Sequence, residues 1–393
     1  MVNDARVTGL PLLRLGFRPF FLGAAAFAVL AVALWAAAYL GWLAFAPRGG
    51  ALAWHLHEMP FGFATAVIAG FLLTAVQNWT DLPGLRGAPL GALFGLWLAA
   101  RIAWLWPALP WPLLAALELA FLPAVAARLG RQLGRAGQRR NYPLVGLLGL
   151  LTAADAVALY AMHGNDFALL RQAVWAALWL IGAMIALIGG RVIPLFTVNG
   201  LRLPAAAPVA SSEPWFALGG FALLAALAAA GMGLAPDARL APLLLALALL
   251  HGWRTVRWYR PGIWRVPLLW SLHLAYAWLV VALLGLAAWH AGAPIAGSAA
   301  LHAFTIGTVG GLILAMMARV SLGHTGRPLT PPRPMAIAFA AVALAALARV
   351  GLASTAPRLG VALAAAAWCV AFGVFLVRYA PMLWRARVDG RPG

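Results

Sequence analysis

Apolar and polar positions alternate along this chain in long blocks. Apolar runs of about 20 residues, the length that an α-helix needs to cross a bilayer, recur from end to end between segments rich in proline, glycine and arginine. The strand-like alternation of membrane barrels is absent. The pattern predicts an all-α, polytopic membrane protein. About twelve transmembrane helices are expected, near residues 19–41, 60–79, 88–106, 109–127, 143–161, 170–190, 214–234, 240–258, 266–289, 298–320, 335–353 and 360–380.

Arginine is distributed unevenly between the segments that connect these spans. With the N-terminus inside, 22 of the 28 basic residues lie in cytoplasmic segments, five lie on the other side, and Arg101 falls inside a span. Because positive charge favours the cytoplasmic side of a membrane protein, this distribution predicts that both termini are cytoplasmic. No small-residue cleavage site follows the first apolar run, so we expect a retained start rather than a signal peptide.

Composition agrees with this class and excludes several others. The 393 residues are 64% hydrophobic and 9% charged, whereas a soluble domain carries about 25% charged residues. The net charge of +19 does not indicate nucleic-acid binding, because the arginines are scattered in small groups instead of following one face. A single cysteine, Cys369, excludes intrachain disulfides, paired-cysteine zinc sites and covalent haem attachment. Any haem must therefore be held noncovalently.

The longest connection without apolar character covers residues 196–213. We expect a single integral membrane domain over 1–393, in which this linker joins two halves, 1–195 and 214–393. A linker between two six-helix halves is typical of transporters. A twelve-helix transporter or metal permease is therefore an alternative function.

Residues 54–59 read WHLHEM and stand at the start of the second predicted span. Pro60 disfavours helix at Met59 and suits the first position of a helix, so we expect the helix to begin at Pro60 and the hexapeptide to be extended. Alternate side chains of an extended chain face one way, which puts His55, His57 and Met59 together. Imidazole with thioether suits copper, and imidazole alone suits haem iron. We predict a metal site; the alternative is two interfacial histidines that point to water.

Two further histidines lie in apolar spans. His302 enters the tenth span from the same side as the WHLHEM segment, and Gly307 and Gly311 form a small-residue face that would allow close packing against the second span. We therefore place His302 in the metal site. His273 lies deeper, in the ninth span, where we expect either a cofactor ligand or a histidine that only forms hydrogen bonds.

A second polar group collects at the cytoplasmic ends of the spans. It includes Arg191, Arg319 and Arg327, with His324 in the same segment as the last two. Guanidinium groups bind carboxylates in a fork. We expect these arginines to hold haem propionates or another anion; the alternative is that they serve only as topology signals.

Ionisable side chains inside the spans are few, which makes each one informative. Arg101 falls in the third span, Glu118 in the fourth and Asp155 in the fifth. We expect Arg101 to form a buried ion pair with Glu118 or Asp155. A proton path through Glu118 is the alternative.

Together, these segments resemble the NnrS family of bacterial membrane proteins, which is associated with the response to nitric oxide. Seven motifs carry the resemblance in combination: GFRPFF (16–21), WHLHEMPFGF (54–63), NW (78–79), RVIPLFT (191–197), LHLAYAW (272–278), LHAFTIG (301–307) and RVSLGHTGRP (319–328). The match covers about 310 of the 393 residues, and the last two spans match only in character. The family's histidines fall on His55, His57, His273, His302 and His324.

The resemblance implies a multi-pass protein of the bacterial inner membrane that contains haem b and copper. It further implies that the protein binds nitric oxide and detoxifies or reduces it, which gives resistance to nitrosative stress. With the arginines considered above, we assign His273, His324, Arg191 and Arg319 to cofactor binding, and His55, His57 and His302 to a metal site; which histidine binds haem and which binds copper stays open.

The resemblance leaves the reaction open. Nitric oxide is small, neutral and soluble in lipid, so an intramembrane metal could meet it without a polar channel. Reduction, as an oxidoreductase of denitrification performs it, also needs protons and electrons, the latter from a quinol or another external donor. A nitric oxide sensor that signals through a partner is a further alternative.

Overall fold

The computed structural model describes residues 9–204 and 213–391. Within these ranges the chain is helical apart from turns and short connections, and no strand occurs. The all-α prediction is therefore confirmed.

Twelve long helices, α1 to α12, run through the described residues. They are Phe17–Leu40, Gly50–Thr80, Ala88–Ala103, Trp111–Arg135, Tyr142–His163, Phe167–Gly200, Glu213–Ala229, Ala241–Trp258, Pro267–His290, Gly297–His324, Pro334–Gly351 and Pro357–Trp384. Nine candidate spans among the described residues are long and apolar enough to cross a membrane. Two of the remaining helices, α3 and α7, are shorter but also apolar. The protein is therefore a multi-pass membrane protein, as predicted.

Helix bounds differ from the predicted spans in two places that matter. The second helix begins at Gly50 rather than Pro60. The sixth continues through Pro194 to Gly200, so the linker does not start at residue 196. It ends before Arg202, whose φ of 55° is left-handed and incompatible with continued helix. Residues 205–212 of the predicted linker lie outside the described residues.

The WHLHEM segment is helical, so the prediction of an extended hexapeptide is wrong. Gly50–His57 is α-helical, Glu58–Ala64 is π-helical, and α-helix resumes at Thr65. The Thr65 amide donates to the carbonyl of Pro60, five residues back, which is the π-helical pattern. A proline inside an α-helix loses one hydrogen bond and clashes with the carbonyl four residues before it. We attribute the helix's continuity through Pro60 to the wider π turn, which accommodates both effects.

The tenth helix repeats this construction. Its α-helical start, Gly297–His302, passes into the π-helical Ala303–Gly310 and then into the α-helical Gly311–His324. In both composite helices a histidine, His57 or His302, is the last residue before the π segment. Such segments change the direction in which the following side chains point and often occur at functional sites.

Both ends of the described chain meet at one face of the bundle, which we call the terminal face. Arg18, at the start of α1, donates from Nη1 to the carbonyls of Leu383 and Arg385 at the end of α12, at 2.9 and 2.7 Å. The first and last helices therefore close against each other. His55, near the start of α2, lies towards the opposite face.

Gly307 and Gly311 bring α10 against α9, so the prediction that they face the second helix is wrong. A Cβ added at Gly307 would lie 2.5 Å from Trp278, and one at Gly311 would lie 2.7 Å from Ala275. The close packing itself follows the expected small-residue rule. Helices α2 and α10 instead face each other across cavities.

Candidate functional site

Two adjoining cavities near the opposite face are lined by both His55 and His302. The larger has a volume of about 770 Å³. The smaller, of about 120 Å³, adds Met59 to its lining. We call the pair the histidine cavity. Met59 follows His55 by four residues, so the two side chains share one face of the helix.

The ring of His302 is fixed by a backbone carbonyl. Its Nδ1 lies 2.6 Å from the oxygen of Ser298. A carbonyl only accepts hydrogen bonds, so Nδ1 carries the hydrogen and Nε2 keeps its lone pair. Metal-binding histidines are commonly oriented in this way, with the second ring nitrogen donating to a carbonyl or carboxylate.

His55 is oriented by an aromatic neighbour. Its ring stacks on Trp35 with the centres 4.1 Å apart and the planes at 19°. Its Nδ1 is buried and has no hydrogen-bond partner among the described residues, and the same holds for Nε of Arg349, which lines the same cavity. Buried polar atoms without partners cost free energy. A ligand that binds these nitrogens would remove that cost.

His57 does not share the orientation of His55. Residues two apart on a helix point about 200° from each other. The Nδ1 of His57 lies 2.9 Å from Oε1 of Glu58, and its Nε2 lies 2.9 Å from Oδ1 of Asp155. The expectation that His55 and His57 face one side is therefore wrong. It failed because it depended on an extended WHLHEM segment.

A buried ion-pair network continues from Glu58. Arg101 pairs with Glu118 and lies 3.2 Å from the Oε2 of Glu58, and Trp104 donates to the other oxygen of Glu118. The predicted ion pair between Arg101 and Glu118 is confirmed. We call the five residues His57, Glu58, Arg101, Glu118 and Asp155 the charged cluster.

The charged cluster is a second place where a metal ion could be held. Among the described residues, His57, Glu118 and Asp155 present ligand atoms within 4.8 Å of one another. Each of these groups already has a partner inside the cluster. A metal would have to displace those bonds, whereas the ring nitrogens of the histidine cavity need no such exchange.

A further cavity, of about 560 Å³, is lined by His324, Arg191 and Arg319 near the terminal face. We call it the arginine cavity. The guanidinium carbon of Arg319 lies 3.8 Å from the ring centre of Phe196, and Arg191 donates to the side chain of Asn141 at 2.7 Å. Three of the four residues assigned to cofactor binding thus line one cavity.

His273, the fourth of those residues, is not among the residues that line the arginine cavity. Its Nε2 lies 2.9 Å from the hydroxyl of Thr197, and the side chain is buried. Of the two roles considered for His273, the hydrogen-bonding role agrees with this position.

An apolar cavity of about 110 Å³ lies between α2, α6 and α10. It shares Phe71, Ile188 and Met316 with the arginine cavity. His302 and His324 stand 22 residues apart on α10, which corresponds to about 33 Å along a helix. The histidine and arginine cavities are therefore separate sites at opposite ends of the same helices.

One side chain of the histidine cavity was missed by the sequence analysis. Arg349 is one of the five arginines that the predicted spans place on the non-cytoplasmic side. Its position at the end of an apolar helix was the one available signal, and that signal does not reveal a shared cavity with His55.

Comparison with known protein families gives a match over nearly the whole chain. The family described as NnrS protein matches residues 11–387. The chain belongs to the NnrS family. Membership links it to the nitric oxide response, in agreement with the resemblance that the motifs carry. No match was found among curated proteins.

Proposed function

We propose that this NnrS family protein binds nitric oxide at a metal in the histidine cavity and removes it within the bacterial inner membrane. One observation carries the proposal. His55 and His302, from two separate helices, line one cavity. The first has a buried ring nitrogen without a partner, and the second has its other nitrogen fixed by a carbonyl.

The donor set of the histidine cavity fits copper. Two imidazoles and the thioether of Met59 are ligands that copper accepts, and thioether favours its reduced state. His57, bonded on both ring nitrogens within the charged cluster, is not part of this set. Its role in the proposal is to hold the π segment of α2 in place.

The arginine cavity fits a noncovalent haem b. His324 offers an imidazole, the axial ligand that haem iron commonly takes. Arg191 and Arg319 offer guanidinium groups to the propionates. The volume of about 560 Å³ lies within the range of about 300–1,000 Å³ that is usual for ligand sites. Haem and copper would supply binding positions for nitric oxide and one-electron chemistry.

The interior of the bundle suits a neutral gas. The apolar cavity between the two sites is lined by side chains such as Val67, Ile185 and Leu312. Nitric oxide needs no polar path to enter such a space from the lipid. If removal proceeds by reduction, electrons come from a quinol or another external donor.

Nitric oxide consumption by membrane vesicles tests the proposal. Vesicles with the wild-type protein, an electron donor and copper should consume nitric oxide faster than vesicles without the protein. His55→Ala and His302→Ala should each abolish that excess. His163→Ala is the matched control, because His163 is exposed and stacks on Trp111. Wild-type rates in both cavity variants, at equal protein levels, would contradict the proposal.

A metal permease is the second candidate function, and the placement of the cavities supports it. The histidine and arginine cavities lie near opposite faces and are separated by an apolar region, so a transported ion would meet a binding position on each side, whereas transporters usually hold the substrate at one site near the midplane. Copper uptake into proteoliposomes distinguishes the two functions. A permease accumulates copper against a gradient, whereas the proposed metalloprotein takes up no more than its own binding sites hold.

A further inference from the structure

A group of arginines surrounds Arg18 at the terminal face. Arg18 is completely buried, with 0% of its surface exposed. Arg14, Arg327 and Arg387 are its charged neighbours. We call these four residues the guanidinium cluster. None of them lines the arginine cavity.

Only one of the three nitrogens of the buried Arg18 guanidinium has a hydrogen-bond acceptor among the described residues. Its Nη1 donates to two backbone carbonyls at the end of α12. Its Nε and Nη2 are buried without an acceptor among the described residues, and so is Nη1 of Arg327. A buried donor without an acceptor is costly, and more so when it is charged. These three donors are free to bind an acceptor that is not among the described residues.

Asp389, a carboxylate beside the cluster within the described part of the chain, is already bound to Arg387. Asp389 accepts from Nε of Arg387 at 2.8 Å, and this hydrogen bonding holds the pKa of Asp389 well below its ordinary value. Asp389 therefore remains ionised and bound to Arg387. Among the described residues, the guanidinium groups of Arg18, Arg327 and Arg387 and the carboxylate of Asp389 together carry a net charge of about +2.

The segment after α12 forms one wall of the cluster. Arg387 donates from Nη1 to the carbonyl of His324 at 3.1 Å, and the Val388 amide donates to the carbonyl of Thr325 at 3.1 Å. Gly326, at a φ of +75°, lies so close that an added Cβ would be 2.8 Å from Cγ of Asp389. The position is therefore built by tertiary contacts and is not a loose surface patch.

We propose that the guanidinium cluster binds a phosphate group. Phosphate oxygens accept the paired N–H donors of guanidinium and neutralise several positive charges at once. Arg18 stands in the first turn of a membrane-spanning helix, the depth at which lipid headgroups lie, and basic pockets between helices bind anionic headgroups. The phosphate comes from an anionic lipid or from free phosphate in solution.

Thermal unfolding of the purified full-length protein in neutral detergent tests this inference. The probes are phosphatidylglycerol, phosphatidylcholine and inorganic phosphate. Arg18→Lys keeps a positive charge but loses the paired N–H donors of the planar guanidinium. Arg327→Gln removes a guanidinium donor and leaves the hydrogen bonds from Arg18 to the backbone carbonyls unchanged. Arg378→Gln is the matched control, since Arg378 is an exposed arginine near the same end of α12.

Phosphatidylglycerol should raise the unfolding temperature of the wild-type protein, whereas phosphatidylcholine should not. In Arg18→Lys and Arg327→Gln the apparent affinity should fall at least tenfold, with Arg378→Gln unchanged. The same pattern with inorganic phosphate alone would identify free phosphate as the source. No stabilisation by either probe, or equal loss in Arg378→Gln, would overturn the inference. So would loss of haem from the Arg18 and Arg327 variants without a phosphate effect, because the anion would then be a cofactor carboxylate.

Discussion

The Nε2 of His57 lies 2.9 Å from Oδ1 of Asp155, and this contact joins α2 to α5 inside the bundle. It occurs at the last α-helical residue before the π segment that begins at Glu58. Glu58 is in turn held by Arg101. The charged cluster therefore fixes the part of α2 that orients His55 and Met59 towards the histidine cavity.

Removal of Arg101 should destabilise the protein strongly. Arg101→Met leaves the carboxylates of Glu58 and Glu118 buried without their cation, and breaking a buried pair from one side costs about 3–5 kcal/mol. Reversible unfolding in mixed detergent micelles measures this change. Arg135→Gln, which removes an exposed charge at the end of α4, is the control and should have no measurable effect. Equal unfolding curves for the two variants would show that the cluster does not stabilise the bundle.

Adding a single methyl group at the contact between α9 and α10 should destabilise the protein. At Gly307 an added Cβ would lie 2.5 Å from Trp278, and overpacking of this kind costs about 1–3 kcal/mol. Gly307→Ala should therefore lower the unfolding temperature. Gly95→Ala is the control, because Gly95 is helical and has nothing within 4 Å of an added Cβ. That substitution should be neutral or slightly stabilising. An unchanged Gly307→Ala variant would refute the tight contact.

The stability that Asp237, in the connection before α8, contributes to the fold should fall in acid and should not change near neutral pH. Hydrogen bonds from Arg239 lower the pKa of Asp237 from 3.8 to about 2. A carboxyl group with a lowered pKa contributes stability above its unfolded pKa and loses it as pH falls through the folded pKa. The stability difference between wild-type protein and Asp237→Asn should therefore be constant above about pH 4 and should vanish towards about pH 2. Unfolding temperatures measured across this range test the prediction. A difference that changes between about pH 5 and pH 8 would contradict it.

Orientation in the membrane is predicted from arginine alone. A reporter fused after Gly393 should be cytoplasmic, because 22 of the 28 basic residues lie on that side if both termini are inside. Alkaline phosphatase at this position should be inactive, and a fluorescent protein should fold and emit. An active phosphatase fusion would show that the C-terminus is not cytoplasmic and would contradict the predicted orientation.

The sequence alone was sufficient for most of the fold, because length and hydropathy determine where a helix can cross lipid. It failed at WHLHEM, where the rule for proline applies to α-helix and the chain forms a π turn instead. The placement of Met59 beside His55 was right for the wrong reason. The two residues share a face because residues four apart lie on one side of a helix. The prediction had relied instead on the alternation of side chains along an extended chain.

The candidate site was only partly predictable for a related reason. A resemblance identifies His55, His57 and His302 without saying which way each ring points, and a turn of about 200° separates the first two on a helix. Arg349 and the donors of Arg18 depend on contacts between helices far apart in sequence. Hydrophobic periodicity carries no information about such contacts. The grouping of Arg191 and Arg319 was accessible from the sequence because both lie at the ends of the predicted spans 170–190 and 298–320, on the same side.

Copper K-edge X-ray absorption of the purified, copper-loaded protein, before and after addition of nitric oxide, tests the central claim most directly. We expect scattering from two imidazoles and one sulfur, and an edge that shifts when nitric oxide is added. Met59→Leu should remove the sulfur contribution, and His302→Ala should remove the metal and the nitric oxide response together. Glu118→Gln should retain both. Copper lost in Glu118→Gln but retained in His302→Ala would place the metal in the charged cluster and contradict the account.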